Sequence, residues 1–284
     1  MTRAEPFVKR VGGKRQLLPM ILPHVPKRFR VYREPFVGGG ALFWRLRRDG
    51  RIDRAFLSDA CPHLIATYQT VRDDVEALIF ELGILPNDEQ VYYALRDRFN
   101  AAFRNVAQGG LCGKPPGLSR IDEATLFLYF AKTAYNGLWR VNAEGAFNAS
   151  WAGYENPTIC DADNLRACHA GLQGVDIQRR DFAAAFADAQ EGDFVYADPP
   201  YVPLTATADF TGYCADGFDM GDQVRLRDAA AAAKARGVHV LLSNSSAPAV
   251  FELYHGWTIE TVDARRAVNS DGAGRGPVKE VLIW

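Results

Sequence analysis

The most chemically pointed stretch of this 284-residue chain is Asp198-Pro199-Pro200-Tyr201, which follows the apolar run Phe194-Val195-Tyr196-Ala197. The run reads as a buried strand. Proline fixes φ and carries no N–H, and the residue before a proline is pushed out of helical geometry. The expected product is a rigid loop projecting a carboxylate, backbone carbonyls and an aromatic ring from the end of a strand. Those groups suit a planar substrate that carries an exocyclic amine. The carboxylate and a carbonyl accept hydrogen bonds from the NH₂ and make its lone pair available, while the tyrosine stacks on the ring.

A second candidate site is Glu34-Pro35-Phe36-Val37-Gly38-Gly39-Gly40, between Val31-Tyr32 and the helical start Ala41-Leu42-Phe43-Trp44. Glycines after a parallel strand let backbone pass close to a ligand, and the following helix offers free N–H groups. Asp59 ends the next apolar run, Ala55-Phe56-Leu57-Ser58, at the spacing where a Rossmann-like site holds ribose hydroxyls. No G-x-G-x-x-G is present, so a nucleoside cofactor smaller than a dinucleotide fits better. The five cysteines form no C-x-x-C pair, and Cys168-His169 has no companion at ligand spacing, so free thiols and no metal are expected.

These residues need a sheet to carry them. The two runs around the glycine loop make a strand–helix–strand unit. Val175-Asp176-Ile177, with Arg179-Arg180-Asp181-Phe182 at its end, and Val238–Leu242 read as further strands, with a helix over Gly221–Arg236. Trp257–Val262 and Glu280–Trp284, joined by a glycine-rich link, predict an antiparallel hairpin on the sheet edge. Residues 61–160 break the pattern. Helical spacing over Val75–Leu82, Val91–Phe103 and Ala124–Ala134, with a glycine- and proline-rich loop at 109–117, predicts an inserted helical domain. The domain expectation is therefore 1–60 with 161–284 for the sheet, and 61–160 for the insert.

Composition is that of a globular chain, 48% hydrophobic and 24% charged, which excludes disordered, collagenous and coiled-coil classes. No apolar run approaches the roughly 20 residues of a membrane span, and Met1–Pro6 is not a secretory signal, so a cytoplasmic location is expected. The net charge of −1 is unevenly spread. Residues 1–54 hold 14 lysines and arginines against four carboxylates, a net of +10 that leaves −11 for the remainder. A basic segment of that kind points to a polyanionic partner.

The chain resembles the Dam family of DNA adenine N6-methyltransferases, whose target-recognition domain lies between the cofactor and catalytic motifs. Phe7-Val8-Lys9-Arg10-Val11-Gly12-Gly13-Lys14 is similar to the family's N-terminal cofactor segment. Glu34–Gly40 is similar to its glycine motif, and Ser58-Asp59 to its acidic ribose position. Tyr135–Asn142 with Gly145–Asn148 resembles the recognition hairpin. Asp198–Tyr201 with Thr205–Phe210 resembles the catalytic loop, and Arg265-Arg266 with Asn269–Gly272 the C-terminal hairpin. The DPPY motif alone occurs in several amino-methyltransferases; the set in this order is highly specific.

The resemblance implies an α/β fold, a Rossmann-like S-adenosylmethionine-dependent methyltransferase sheet with an inserted helical target-recognition domain. It implies S-adenosylmethionine lined by Arg10, Lys14, Glu34, Phe36, Gly38, Gly40, Asp59, Asp181, Phe182 and Asp198. It implies catalysis by Asp198, Pro199, Pro200 and Tyr201 on an adenine flipped out of duplex DNA, the family's usual target being GATC. Lys9, Tyr135, Asn136, Leu138, Arg140 and Asn142 fall on DNA-contacting positions, Arg140 on one that reads a guanine edge. Double-stranded DNA is the implied partner of a monomer or weak dimer, with no metal and no membrane. The chain departs from the family at Arg10-Val11, where an aromatic–alanine pair is usual. It departs again at Ala149–Tyr154, where a proline and an aromatic-glycine-arginine run are usual. Two other classes share parts of this pattern: an amino-methyltransferase acting on RNA or a protein glutamine amide, and a catalytically silent DNA-binding protein. The insert bearing Tyr135–Asn148 argues against the first, and the intact DPPY loop against the second.

Overall fold

The computed structural model describes residues 4–8, 14–104, 118–137, 139–142, 145–204, 217–265 and 277–284. The strands are β1 (Tyr32–Glu34), β2 (Ala55–Asp59), β3 (Asp176–Arg179), β4 (Phe194–Ala197), β5 (His239–Ser245), β6 (Ile259–Arg265) and β7 (Pro277–Ile283). The helices are α1 (Leu18–Ile21), α2 (Ala41–Arg48), α3 (Pro62–Asp73), α4 (Val75–Gly83), α5 (Glu89–Arg104), α6 (Arg120–Thr133), α7 (Ala162–Leu172), α8 (Phe182–Ala187), α9 (Met220–Ala235) and α10 (Pro248–Leu253). They divide into two compact units. Among the described residues one unit takes 14–60, 174–204 and 218–284, the other 4–8, 61–173 and Gly217.

The first unit is a seven-stranded mixed sheet in the order β3-β2-β1-β4-β5-β7-β6. Strands β1 to β5 are parallel, and β7 runs antiparallel to both β5 and β6. The closing hairpin expected from the sequence is there, with its second strand on the inside. Every residue of β4 is buried, which is why its sequence is a continuous apolar run rather than an alternation. On one face Val195, Ala197, Val240, Leu242, Val281 and Ile283 pack with Phe186, Leu226, Ala230 and Val250 of α8, α9 and α10. On the other, Tyr32 lies between Phe194 and Phe43 of α2.

The α9 helix starts on a capping box, Asp219 and Asp222 each bonding the other's backbone N–H. It ends at Gly237, whose φ of +83° lets Val238 N–H turn back to the Ala233 carbonyl. The strand after it is longer than its apolar run. Ser243, Asn244 and Ser245 continue β5, buried and paired with Leu282, Val281 and Glu280. Polar residues there look like the end of a strand, yet they are satisfied by a side-chain network described below.

The second unit is helical, α3 to α7. Helix α6 begins on a Ser119–Asp122 capping box and is buried almost throughout, so it forms the unit's axis. Phe99, Phe127, Phe130, Trp139 and Phe147 form one aromatic core; Trp139 stacks on Phe147 at 4.7 Å, and Phe147 on Phe130 at 4.8 Å. The unit continues past the expected boundary at 160. Helix α7 packs on α3 and α4, with His169 Nδ1 against the Val71 carbonyl and Gln173 donating to Arg72. The 109–117 loop lies outside the described residues.

Candidate active site

The glycine loop and the proline loop leave the carboxyl ends of β1 and β4. These are the neighbouring strands at which the strand order reverses, because the chain passes from β1 outward to β2 and β3 and then back to β4. Open α/β sheets bind their ligands in that crevice. Lys14, in a 3₁₀ turn spanning Lys14–Gln16, reaches into it. Its Nζ lies 3.0 Å from Asp198 Oδ1, 3.9 Å from Glu280 Oε2 and 4.5 Å above the Tyr201 ring. Asp198 Oδ1 is buried against the Lys14 ammonium, and the Tyr201 hydroxyl is the carboxyl's other nearby donor. Burial pushes the Asp198 carboxyl above the usual aspartate range; the Lys14 ammonium pulls it back, and the Glu280 charge adds to the rise. The Tyr201 hydroxyl donates to Glu280 Oε2 at 2.6 Å. Burial, then the Asp198 and Glu280 charges, hold that phenol well above its ordinary range, so it stays protonated.

On the β1 side, Glu34 is buried and accepts a 2.9 Å hydrogen bond from the Tyr32 hydroxyl. Burial drives its carboxyl well up against that hydrogen bond, with the Asp198 and Asp59 charges adding to the rise. The glycine loop is laced to the end of β2: Val37 N–H donates to the Ser58 carbonyl at 3.0 Å and Gly38 N–H to Asp59 Oδ2 at 3.1 Å. Gly38 and Gly40 take φ of +46° and +65°, where a side chain would be strained, and α2 starts directly after them. Phe36 stacks on Phe182 at 5.4 Å, and Phe218 meets both rings. Asp181 caps α8 through Ala183 N–H, and Arg225 Nη2 lies 3.1 and 3.2 Å from its two oxygens. The donor set fits a nucleoside with a cationic tail. Glu34, Asp59 and Asp198 can accept from hydroxyl or ammonium groups, the Phe36–Phe182 pair offers apolar ring faces, and the two left-handed glycines keep side chains off the loop. Arg10 lies outside the described residues.

Sequence reading did not single out the residues that hold the proline loop. Gln223 of α9 donates to the Pro200 carbonyl at 2.8 Å and accepts from Asn244 Nδ2 at 3.0 Å. Asn244 Oδ1 accepts from Val202 N–H, and Ser245 Oγ donates to the Val202 carbonyl at 2.6 Å. Tyr196 OH meets Ser243 Oγ at 2.8 Å under the loop. Glu280 is the other omission. A carboxylate in the closing apolar strand, Glu280-Val281-Leu282-Ile283, was the available signal, since a charge at such a position calls for a partner.

Of the predicted DNA-contacting residues, Tyr135, Asn136, Arg140 and Asn142 lie in the helical unit, on a short hairpin. Thr133, the last residue of α6, is followed by a 3₁₀ turn at Tyr135–Gly137 and by antiparallel bridges Ala134↔Trp151 and Val141↔Phe147. Tyr135 is 62% exposed. Asn136 has φ +57°, the left-handed region that asparagine tolerates better than most residues, and its N–H donates to the Tyr154 hydroxyl. Arg140 is exposed, with its Nε held by Asn148 Oδ1 at 2.8 Å. Asn142 has a structural job: its Oδ1 accepts the Ala146 N–H at 2.8 Å and closes the hairpin turn. The hairpin is tied down by Asn100 of α5, which donates to the Phe147 carbonyl and accepts its N–H, and by Tyr92, whose hydroxyl donates to the Ala149 carbonyl. Lys9 and Leu138 lie outside the described residues.

Comparison with known proteins covers nearly the whole chain. The family model for D12 class N6 adenine-specific DNA methyltransferases matches residues 11–268. The chain is 36% identical over 280 residues to the Type II methyltransferase M1.LlaDCHI of Lactococcus lactis subsp. cremoris, covering 98% of this chain and 94% of that one. It is 35% identical to the Type II methyltransferase M.MjaIII of Methanocaldococcus jannaschii, over 98% of each chain. It is 33% identical to the DNA adenine methylase of Escherichia coli (strain K12), over 99% of this chain and 95% of that one.

Proposed function

We propose a reaction and a substrate for this site from one premise: the chain belongs to the D12 class N6 adenine-specific DNA methyltransferases. It transfers a methyl group from S-adenosylmethionine to the N6 amine of an adenine flipped out of duplex DNA, within GATC or a related short site. The observation that carries this reading is the Asp198 carboxyl, placed directly after β4 at the switch point and held beside Lys14.

Lys14, Glu34, Phe36, Asp59, Asp181 and Phe182 would hold the cofactor, which when bound supplies an electrophilic methyl group. Asp198 orients the exocyclic amine by accepting one of its hydrogens. The Pro200 carbonyl is already engaged by Gln223, which leaves the Pro199 carbonyl as the loop's second acceptor for that amine. With both hydrogens directed to acceptors, the nitrogen lone pair points away from the ring plane toward the electrophile. Tyr201 stacks on the base, which must leave the duplex to be reached. Catalysis on this reading is mostly positioning. In the helical unit, which serves as the target-recognition domain, Asn148 pre-orients Arg140 to read a guanine edge. Tyr135, Asn136 and Leu138 approach neighbouring bases, and Lys9 a base or phosphate.

The test is methylated-base sequencing of DNA from cells that express the wild-type protein or Asp198→Ala. The expected outcome is N6-methyladenine at one short motif with the wild type and none with the variant, whose duplex binding stays within about threefold because binding does not need that carboxylate. Methylation retained in Asp198→Ala removes its proposed role. An absence of N6-methyladenine with the wild type refutes the reaction.

A further inference from the structure

We propose that Glu280 is a positioning residue that fixes the Tyr201 ring in the pose in which it stacks on the target base. The inference rests on the reaction proposed above and names a part of the site that no motif of the sequence contains. Glu280 lies on β7 opposite Ser245 of β5, and its neighbours Val281, Leu282 and Ile283 are fully buried. The Glu280 side chain itself is 19% exposed. A carboxylate there loses much of its hydration, so it persists only with strong partners. It has two. The Tyr201 hydroxyl donates to Oε2 at 2.6 Å, within the short range of a charge-assisted O–H···O⁻ bond, and Lys14 Nζ lies 3.9 Å away.

The geometry gives Tyr201 an anchor at each end. Its backbone follows Pro200, whose carbonyl is held by Gln223, and its hydroxyl is held by Glu280. A tyrosine fixed only at its backbone still has two side-chain torsions to settle before a base can stack on it. One held at both ends presents its face at no further entropic cost. Glu280 also shares Lys14 with Asp198, so one cation faces two carboxylates.

The experiment measures steady-state methylation of a duplex carrying the recognition motif in unmethylated form by full-length wild type, Glu280→Met, Glu280→Gln, Tyr201→Phe and the Tyr201→Phe/Glu280→Met double variant. Methionine matches glutamate in length, suits an apolar strand and removes the acceptor. Lys14 keeps Asp198 as its counter-ion at 3.0 Å, so no buried charge is left stranded and the melting temperature should hold. The proposal expects kcat to fall about 30-fold in Glu280→Met with both KM values within about threefold, since small misplacements at a reacting centre cost up to a hundredfold. Glutamine keeps an acceptor for the hydroxyl and should recover to within about fivefold. Tyr201→Phe lacks the hydroxyl, so adding Glu280→Met to it should cost less than about twofold further. A 2-aminopurine at the target position should brighten on binding in every variant, because flipping precedes stacking. An unchanged kcat in Glu280→Met, multiplying losses in the double variant, or a loss matched by a fallen melting temperature and not rescued by glutamine overturns the proposal. A wild-type protein that methylates no adenine refutes the underlying reaction instead.

Discussion

Replacing Lys14 by methionine removes the cation shared by Asp198 and Glu280, and its consequences can be worked from the distances. At 3.0 Å and an effective dielectric of about 20, the Lys14–Asp198 attraction is about 5.5 kcal/mol before desolvation is counted. Side-chain exposures of 8% and 22% mean that much of the ammonium's hydration is already lost, which offsets part of that figure. Breaking a buried pair from one side costs about 3–5 kcal/mol, and the crevice position of Asp198 puts this case near the lower end. About 3 kcal/mol corresponds to a fall of roughly 6 °C in melting temperature for a chain of this size.

The deficit must depend on pH, and its sign is fixed by the direction of the Asp198 shift. Burial holds that carboxyl above its ordinary range, and Lys14 opposes the rise. Without Lys14 it rises further. A carboxyl raised on folding contributes stability that is complete below its unfolded pKa and is lost as pH climbs through the folded one. The Lys14→Met deficit should therefore be smallest in acid and grow toward neutral pH. Adding Asp198→Asn should restore part of the lost stability, because it removes the stranded charge. Thermal melts of the three proteins across a pH series are the assay for stability. For activity, the acid limb of kcat/KM should move to higher pH in Lys14→Met, since the proposed reaction uses Asp198 as a carboxylate. A deficit that is constant across pH, or a limb that stays or moves down, refutes the assignment of Lys14 as the counter-ion of Asp198.

Asn100→Ala should cost about 2 kcal/mol, because it leaves the buried Phe147 N–H and carbonyl without their partner. Amide exchange at Phe147 should accelerate accordingly, and exchange at the wild-type rate would contradict the clamp. Arg140→Ala should relax sequence preference in a site-selection assay while non-specific duplex binding changes by less than about threefold. An unchanged preference profile would remove Arg140 from base reading.

The two loops proposed to carry the chemistry are legible in the sequence as loops at strand ends, because each is encoded next to its own strand. An apolar run followed by glycines or by two prolines specifies a loop at a strand end without reference to the rest of the fold. Glu280, Asn244 and Gln223 were not legible because their roles depend on register. Ser243-Asn244-Ser245 looks like the polar end of a strand until β7 pairs with it and puts Glu280 opposite Ser245. Asn142 shows a different difficulty. A polar residue in a hairpin has the same appearance whether its side chain serves a partner or closes the turn, and here its Oδ1 is committed to Ala146 N–H.

Charge counting is subject to the same loss of direction. The basic segment 1–54 looks like a surface that grips a polyanion, yet several of its described cations are spent on the sheet unit itself. Arg30 and Arg33 converge on the fully buried Asp193 at 3.0 and 2.8 Å. Arg47 donates to the Ile52 carbonyl, Arg51 to the Pro26 carbonyl, and Arg45 pairs with Asp49. These groups sit near where β1, β2 and β4 begin, whereas Asp198 follows the end of β4. A four-residue strand such as β4 spans about 13 Å, longer than the Debye length of about 8 Å at physiological ionic strength. Their field is therefore largely screened before it reaches the crevice through solvent. Lys14 differs from them because it is buried beside Asp198, where screening is weak. Among the described residues the basic segment thus combines cations that brace the sheet with Lys14 beside Asp198, and only their positions in the fold separate the two.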